Sequence, residues 1–132
     1  MSKLLLDTHV LIWVSQGSRK LGKKASRLIT DPAVEVWLSA VSVWEIANKV
    51  ALGRLRFRDS ARKWLSSEAS ANNLSPLPLT QEHALAAAEL PRYHEDPFDR
   101  LLIGQAQVED LKIMTADAQF ERYNVRLIDA TA

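Results

Sequence analysis

Leu4-Leu5-Leu6-Asp7-Thr8-His9-Val10-Leu11-Ile12-Trp13-Val14 sets one carboxylate inside an otherwise apolar run. Lys3 to Leu6 has the length of a short strand. Val10, Leu11, Trp13 and Val14 carry the spacing of a helix face, so Asp7 stands where a strand ends and its helix begins. A charge in such surroundings is costly without a partner, which makes Asp7 the acid least easily dismissed as a turn residue. The run is 11 residues long, against the ~20 apolar residues of a membrane helix. Asp7 also interrupts the apolar core that a signal peptide requires. The chain reads as cytoplasmic, with no membrane partner.

Outward from this stretch, apolar strands and helical patterns alternate. After a polar, basic break from Gly17 to Lys24, a helix turns Ala25, Leu28 and Ile29 inward and stops near Asp31-Pro32. Glu35 to Leu38 reads as a second strand. Ser42 is expected to start a helix running to about Leu52, stopped by Gly53. An amphipathic helix covers residues 59–72, and Leu74 to Leu79, with Pro76 and Pro78, is at best a short edge strand. Thr80 caps a helix ended by Pro91, and Asp96-Pro97 opens the next with Asp at the N-cap and Pro at N1. Leu111 to Thr115 is a buried strand, Ala116 to Tyr123 a short helix and Val125 to Ile128 a last strand. Strands interleaved with helices predict a parallel sheet covered on both faces. The expectation is one α/β domain spanning residues 1–132, with no repeat and no linker.

Composition agrees with this. The chain has 132 residues, 47% of them apolar and 25% charged, which suits one soluble globular domain and excludes a disordered tail, a fibre or a coiled coil. It has no cysteine, which removes disulfide frameworks, thiolate zinc sites and thiol catalysis. The net charge of +1 hides a division: residues 1–66 hold 12 Lys/Arg and 5 Asp/Glu, and residues 67–132 hold 5 and 11. A basic half can attract a polyanion and an acidic half can hold cations.

Four acids fall at one kind of place. Asp7 follows the first strand, Glu45 lies in the first turn of the helix after the second, Asp99 lies in the first turn after Asp96-Pro97, and Asp117 follows Leu111–Thr115. In an open parallel sheet, strand ends and the helix starts that follow them share one edge, where ligands bind. Converging carboxylates either raise each other's pKa values or recruit a cation. Magnesium and manganese accept oxygen ligands and leave room for a phosphate oxygen. Each acid also has a plainer explanation. Ser42-Val43-Trp44-Glu45 matches a capping box, Asp99 at N3 suits the helix dipole, Asp117 can cap a short helix and Asp7 can make a turn.

The same residues carry a resemblance to the PIN-domain proteins, specifically to the VapC-type toxins of bacterial type II toxin–antitoxin pairs. Leu5-Leu6-Asp7-Thr8-His9-Val10-Leu11-Ile12-Trp13 is similar to the first acidic motif of that family. Ser39-Ala40-Val41-Ser42-Val43-Trp44-Glu45-Ile46-Ala47, continuing through Lys49 to Gly53, resembles the second. Asp96-Pro97-Phe98-Asp99-Arg100-Leu101-Leu102-Ile103 resembles the third, and Met114-Thr115-Ala116-Asp117-Ala118-Gln119-Phe120 the fourth. The likeness runs from about residue 3 to residue 128. It implies a three-layer α/β/α sandwich on a central, mostly parallel sheet. It also implies a Mg2+- or Mn2+-dependent ribonuclease whose acidic site is Asp7, Glu45, Asp99 and Asp117, with Asp7 and Asp99 as direct metal ligands. Asp96 is the weaker candidate, because its N-cap role already accounts for it. Thr8, Ser42 and Thr115 match positions beside the acids and could hydrogen-bond a carboxylate or a water. One departure is Gly104, where the family more often has Ala. In this reading the ions make a water able to attack an RNA phosphorus in line and neutralise the departing 3′ oxygen. An antitoxin partner and a homodimer are implied by the resemblance alone.

The remaining signals stay open. Arg100 either contacts a phosphate or is a solvated charge near its helix start. Arg19, Lys20, Lys23, Lys24 and Arg27 form one basic cluster, and Arg54, Arg56, Arg58, Arg62 and Lys63 another. Each suits an RNA backbone, an antitoxin segment or plain solvation. His9, His83 and His94 lack metal-ligand spacing and read as helix or loop residues. Trp13, Trp37, Trp44 and Trp64 read as core or interface. Trp44, Ile46 and Val50 with Leu52, Leu55 and Phe57 could line a groove for a partner helix. The alternatives to a ribonuclease are a catalytically inactive RNA- or protein-binding module on the same fold, a pure interaction protein and a DNA-directed nuclease.

Overall fold

The computed structural model describes residues 2–132. Five parallel strands form one sheet: β1 (Ser2–Leu6), β2 (Val34–Ser39), β3 (Ser75–Leu77), β4 (Lys112–Thr115) and β5 (Leu127–Asp129), in the order β3-β2-β1-β4-β5. Side chains alternate across a pleated strand, and the sequence uses both faces. Leu4, Leu6, Val36, Leu38 and Met114 point to one layer of core, and Leu5 and Ile113 point to the other. The first layer is closed by α1 (Thr8–Gln16), α2 (Lys23–Thr30), α3 (Ala40–Ala51) and α4 (Ala61–Ala71), through Val10, Leu11, Ala25, Ile29, Ile46 and Trp64. The second is closed by α5 (Gln81–Ala88), α6 (Pro97–Glu109) and the short 3₁₀ turn α7 (Ala118–Arg122), through Leu102, Ile103, Ala106 and Phe120. The expected three-layer α/β/α sandwich is present, and its sheet is parallel throughout. Among the described residues no helix is long and apolar enough to cross a membrane.

The strand order creates the crevice that matters. From β1 the chain runs outward to β2 and then β3, and from β4 it runs the other way to β5. Because Leu6 pairs with Met114, the connections leaving β1 and β4 diverge from adjacent strands at one edge of the sheet. A crevice at such a divergence is where open α/β sheets hold ligands.

Local chemistry explains most element ends and corrects one. Asp96 accepts the N–H groups of Phe98 and Asp99 with Pro97 at N1, and Thr80 caps α5, as the sequence predicts. Gly53 ends α3 at φ 72°, a left-handed backbone that favours glycine. Ser42, however, does not start α3. β2 extends to Ser39, whose hydroxyl accepts the Val41 N–H at 3.0 Å and donates to Gln105. Helix α3 therefore begins at Ala40, Ser42 lies inside it, and the Ser42–Glu45 capping box does not form. Near the end of the chain the expected short helix is a 3₁₀ turn over Ala118–Arg122, and β5 is shifted to Leu127–Asp129.

Gly104 has a reason that helix propensity does not contain. It lies where α6 crosses α5, and a Cβ there would come within 2.8 Å of the Ala87 nitrogen and 2.9 Å of the His83 oxygen. Both are backbone atoms that cannot swing aside. Propensity alone would make Gly104→Ala stabilising by ~1 kcal/mol. The close approach reverses the sign, and urea denaturation should show a loss of ~1–3 kcal/mol, the usual cost of overpacking.

Candidate active site

Asp7 is the innermost acid. It caps α1, its Oδ1 accepting the Thr8 N–H at 2.8 Å, and its own N–H donates to Met114 O at 3.0 Å across the β1–β4 pair. Its Oδ2 accepts the Thr115 hydroxyl at 2.8 Å and lies 3.3 Å from His9 Nδ1. The Ala116 N–H donates to His9 Nε2 at 3.3 Å, so the ring's proton is on Nδ1 and points at Asp7. Asp7 is 3% exposed, and these contacts are what a buried carboxylate requires.

The second acid is held through a hydroxyl relay. Thr8 Oγ1 lies 2.7 Å from Glu45 Oε1 and 2.8 Å from Ser42 Oγ. With one proton on Thr8, the bond to the carboxylate uses it, and Ser42 supplies the proton between the two hydroxyls. Ser42 and Glu45, one helical turn apart on α3, thus lie together over α1. The plainer explanation of Glu45 as a capping residue fails for this reason.

The third and fourth acids meet from either side of a histidine. Asp99, at N3 of α6, has Oδ2 2.7 Å from His94 Nε2, and Asp117 Oδ2 lies 3.8 Å from the same nitrogen. Ligand atoms of His94, Asp99 and Asp117 all lie within 4.8 Å of one another. Asp117 also accepts the Gln119 N–H and receives no ion pair from Lys or Arg among the described residues.

Electrostatics tie the four into one cluster. Burial pushes Asp99 up from 3.8 to about 7, Asp7 and Asp96 add to the rise, and His94 holds it back. Burial likewise raises Asp7, which His9, Thr115 and Thr8 oppose while Asp117 adds to the rise. Glu45 is raised by burial, with Asp96 and Asp7 adding to it and the Thr8 hydroxyl and Lys49 opposing. Among the described residues, the only side chains within ion-pairing distance of these acids are His9 and His94. Asp99 Oδ1, Asp117 Oδ2 and Glu45 Oε2 accept no hydrogen bond from the described residues. A set of carboxylate oxygens that is short of positive charge and has open lone pairs fits a hard divalent cation such as magnesium or manganese.

The structure therefore brings Asp7, Glu45, Asp99 and Asp117 to one edge, with Thr8, Ser42 and Thr115 bonded around them. Asp96 stays an N-cap, acting on the cluster through its charge. Three readings are corrected. Arg100 is neither solvated nor free for a phosphate: it is 4% exposed, and its terminal nitrogens donate to the carbonyls of Ala87, Leu90, Pro91 and His94 and to the Tyr123 hydroxyl. Its face is inward because Arg100, Ile103 and Gly104 share the i, i+3, i+4 stripe of α6, a signal visible in the sequence. His9 and His94 belong to the site, which metal-ligand spacing did not reveal because each approaches a carboxylate through its fold rather than a fellow histidine. His83 is structural, taking the Thr80 N–H on Nδ1 and donating from Nε2 to Glu109 at 2.8 Å. The residues from Trp44 to Phe57 that could have lined a groove do not share one surface. Ile46 is fully buried in the core and Trp44 is 53% exposed.

The PIN domain family matches residues 4–125 of the chain. Ribonuclease VapC22 of Mycobacterium tuberculosis is 28% identical to it over 124 residues, 93% of this chain and 93% of that protein. Of solved structures, VapBC2 of Rickettsia felis bound to a promoter DNA fragment is similar at a TM-score of 0.71, with 13% identity, over 96% of this chain and 97% of that one. DNA-bound VapBC of Salmonella typhimurium is similar at 0.70, with 20% identity, over 98% of each chain. At these identities the structures support the fold.

The raised Asp99 has a consequence for stability. A carboxyl whose folded pKa lies above its ordinary 3.8 favours the fold when protonated, so its contribution is full below about pH 4 and is lost as pH rises through about 7. Asn keeps an oxygen for His94 and cannot ionise. In chelator, Asp99→Asn should melt higher than wild type at pH 8, with the gap closing toward pH 4 in a thermal series.

Proposed function

The chain belongs to the PIN domain family, and from that premise we propose that it is a Mg2+- or Mn2+-dependent endoribonuclease, the toxin of a type II toxin–antitoxin pair. The observation that carries this reading is the convergence of Asp7, Glu45, Asp99 and Asp117 with only histidines in ion-pairing range. The likeness to Ribonuclease VapC22 supports RNA as the substrate. The likeness to VapBC complexes supports an antitoxin partner. Cytoplasmic location and a homodimer belong to the same reading.

Asp7 and Asp99 would hold the cation, with Asp117 and Glu45 completing the set. When bound, such an ion supplies charge neutralisation at a phosphodiester and lowers the pKa of an attacking water. The chain's own groups do the positioning. Thr115 and the Thr8 N–H fix both oxygens of Asp7, the Thr8 hydroxyl aims Glu45, and His94 fixes Asp99 and faces Asp117. His94 is itself anchored, its N–H donating to the Tyr123 hydroxyl at 2.8 Å and its carbonyl accepting from Arg100. An inactive binding module on the same fold would have no use for open carboxylates, which repel a polyanion without a cation.

Arg19, Lys20, Lys23 and Lys24 support a backbone path toward the acids. All four are exposed, and Lys20 Nζ lies 6.0 Å from the Trp13 ring, which packs edge-on against His9 at 4.9 Å. His9 in turn contacts Asp7, so Lys20 is linked to the site through two ring contacts.

Purified protein with magnesium should cut a mixed RNA pool containing structured RNAs, and chelator should stop it. Asp99→Asn and Asp7→Asn should each lower the rate at least about 100-fold, the scale of losing one transition-state electrostatic group. Magnesium should also raise the wild-type melting temperature and leave Asp99→Asn unmoved. Cleavage that persists in chelator would overturn the proposal.

A further inference from the structure

Trp44 is out of place by ordinary rules. It is 53% exposed on α3, yet it is not loose: it stacks on Phe98 of α6, with ring centroids 5.2 Å apart and planes 30° apart. Phe98 is anchored in turn against the second core layer. One face of the indole is therefore backed by a ring and the other is open. The two aromatics each precede an acid of the site in the chain, Trp44 before Glu45 and Phe98 before Asp99. The stacked pair thus joins the same two helices that bring those acids together, with each ring one residue along the chain from an acid of the site.

On the Asp117 side the corresponding aromatic is already occupied. Tyr93, next to His94, is 46% exposed, but the Arg122 guanidinium lies over its ring at 4.3 Å. Trp44 alone of the two offers a bare, pre-oriented π-face.

We propose that Trp44, backed by Phe98, is a stacking platform for one unpaired nucleobase of the RNA whose phosphate lies at the acids. The inference rests on the ribonuclease reading and adds a substrate requirement to it. Every base has a π-face, so stacking binds without demanding a sequence, but only a base free of its helix partner can present that face. The platform therefore selects single-stranded or looped RNA at the cut. Orientation is fixed before binding, because Phe98 already restricts the indole and little side-chain freedom is left to lose.

The test uses the full chain in the cleavage-impaired Asp99→Asn background and a short unstructured, fluorescently labelled RNA. The same RNA is paired into a duplex as one control and carries single abasic substitutions in a second series. Trp44→Ala should weaken binding of the single strand by roughly 5- to 150-fold, the range of one base–aromatic stack, and leave duplex binding unchanged. Trp44→Phe should restore most of it. One abasic position should weaken binding to protein carrying Trp44 and have no further effect on Trp44→Ala. The platform is overturned if Trp44→Ala binds like its parent, if no abasic position is coupled to Trp44, or if light scattering shows that Trp44→Ala only separates two copies of the chain. Cleavage by wild type with magnesium is scored separately. Cutting without a Trp44 effect removes the platform and leaves the nuclease, Trp44-dependent binding without cutting does the reverse, and an RNA that neither Asp99→Asn protein binds and that wild type with magnesium does not cut removes both.

Discussion

A carboxylate buried at the carboxyl end of the central strand has to be compensated, and the architecture follows from how this is done for Asp7. The Thr8 N–H comes from the start of α1, the Thr115 hydroxyl from the end of β4, and the imidazole N–H from His9 in the same first turn of α1. These donors exist together only if β1 and β4 are parallel neighbours in the observed register and their connections diverge. Four helical segments also begin at this edge: α1 after Asp7, α3 after Ser39, α6 after Asp96 and α7 after Asp117. Their amino termini carry partial positive charge that favours anions. Partial charges favour the acids at this edge, while burial and the neighbouring Asp7 still push Asp99 up to about 7. The same arrangement that stabilises the fold around one acid leaves the cluster short of positive charge.

What the sequence discloses is local, and what it conceals is long-range. The strand–Asp–helix of residues 4–14 could be read directly because apolar neighbours make Asp7 conspicuous. Asp96-Pro97 and Thr80 could be read because capping is a matter of three or four consecutive residues. Ser39 and Ser42 are both plausible starts for α3, and nothing local separates them. The choice is made by Gln105, 66 positions away, which takes the Ser39 hydroxyl, and by Thr8, which takes Ser42 into the site. His94 is harder still, since it lies in a loop with no periodicity to read. Its place depends on Tyr123 and Arg100, whose contacts with it appear only when α6 and the last turn are packed.

Charge along the chain is likewise reorganised by folding. The basic and acidic halves suggest separate surfaces, yet the acid cluster draws Asp7 and Glu45 from the basic half and Asp99 and Asp117 from the acidic one. Lys20 of the first basic cluster lies near the site because α1 carries both His9 and Trp13, with Lys20 over the Trp13 ring. A sequence-level division thus does not survive as a division of the surface at this edge.

Arg100 shows how far the geometry of such a site depends on groups that never touch its chemistry. A lone guanidinium buried beside an acid cluster would be expected to pair with it, and Asp99 is the residue just before it in the chain. Arg100 instead turns inward along α6 and satisfies its charge with four carbonyls between Ala87 and His94. Those carbonyls belong to the end of α5 and the loop after it, which have no regular ladder of their own to bond. The strand ends bearing Asp7 and Asp117 are held by the sheet, and the loop bearing His94 is held by Arg100 and the Tyr123 hydroxyl. One bank of the crevice is therefore set by backbone hydrogen bonds and the other by a buried side chain. The separation of Asp99 from Asp117 across His94 is determined by both.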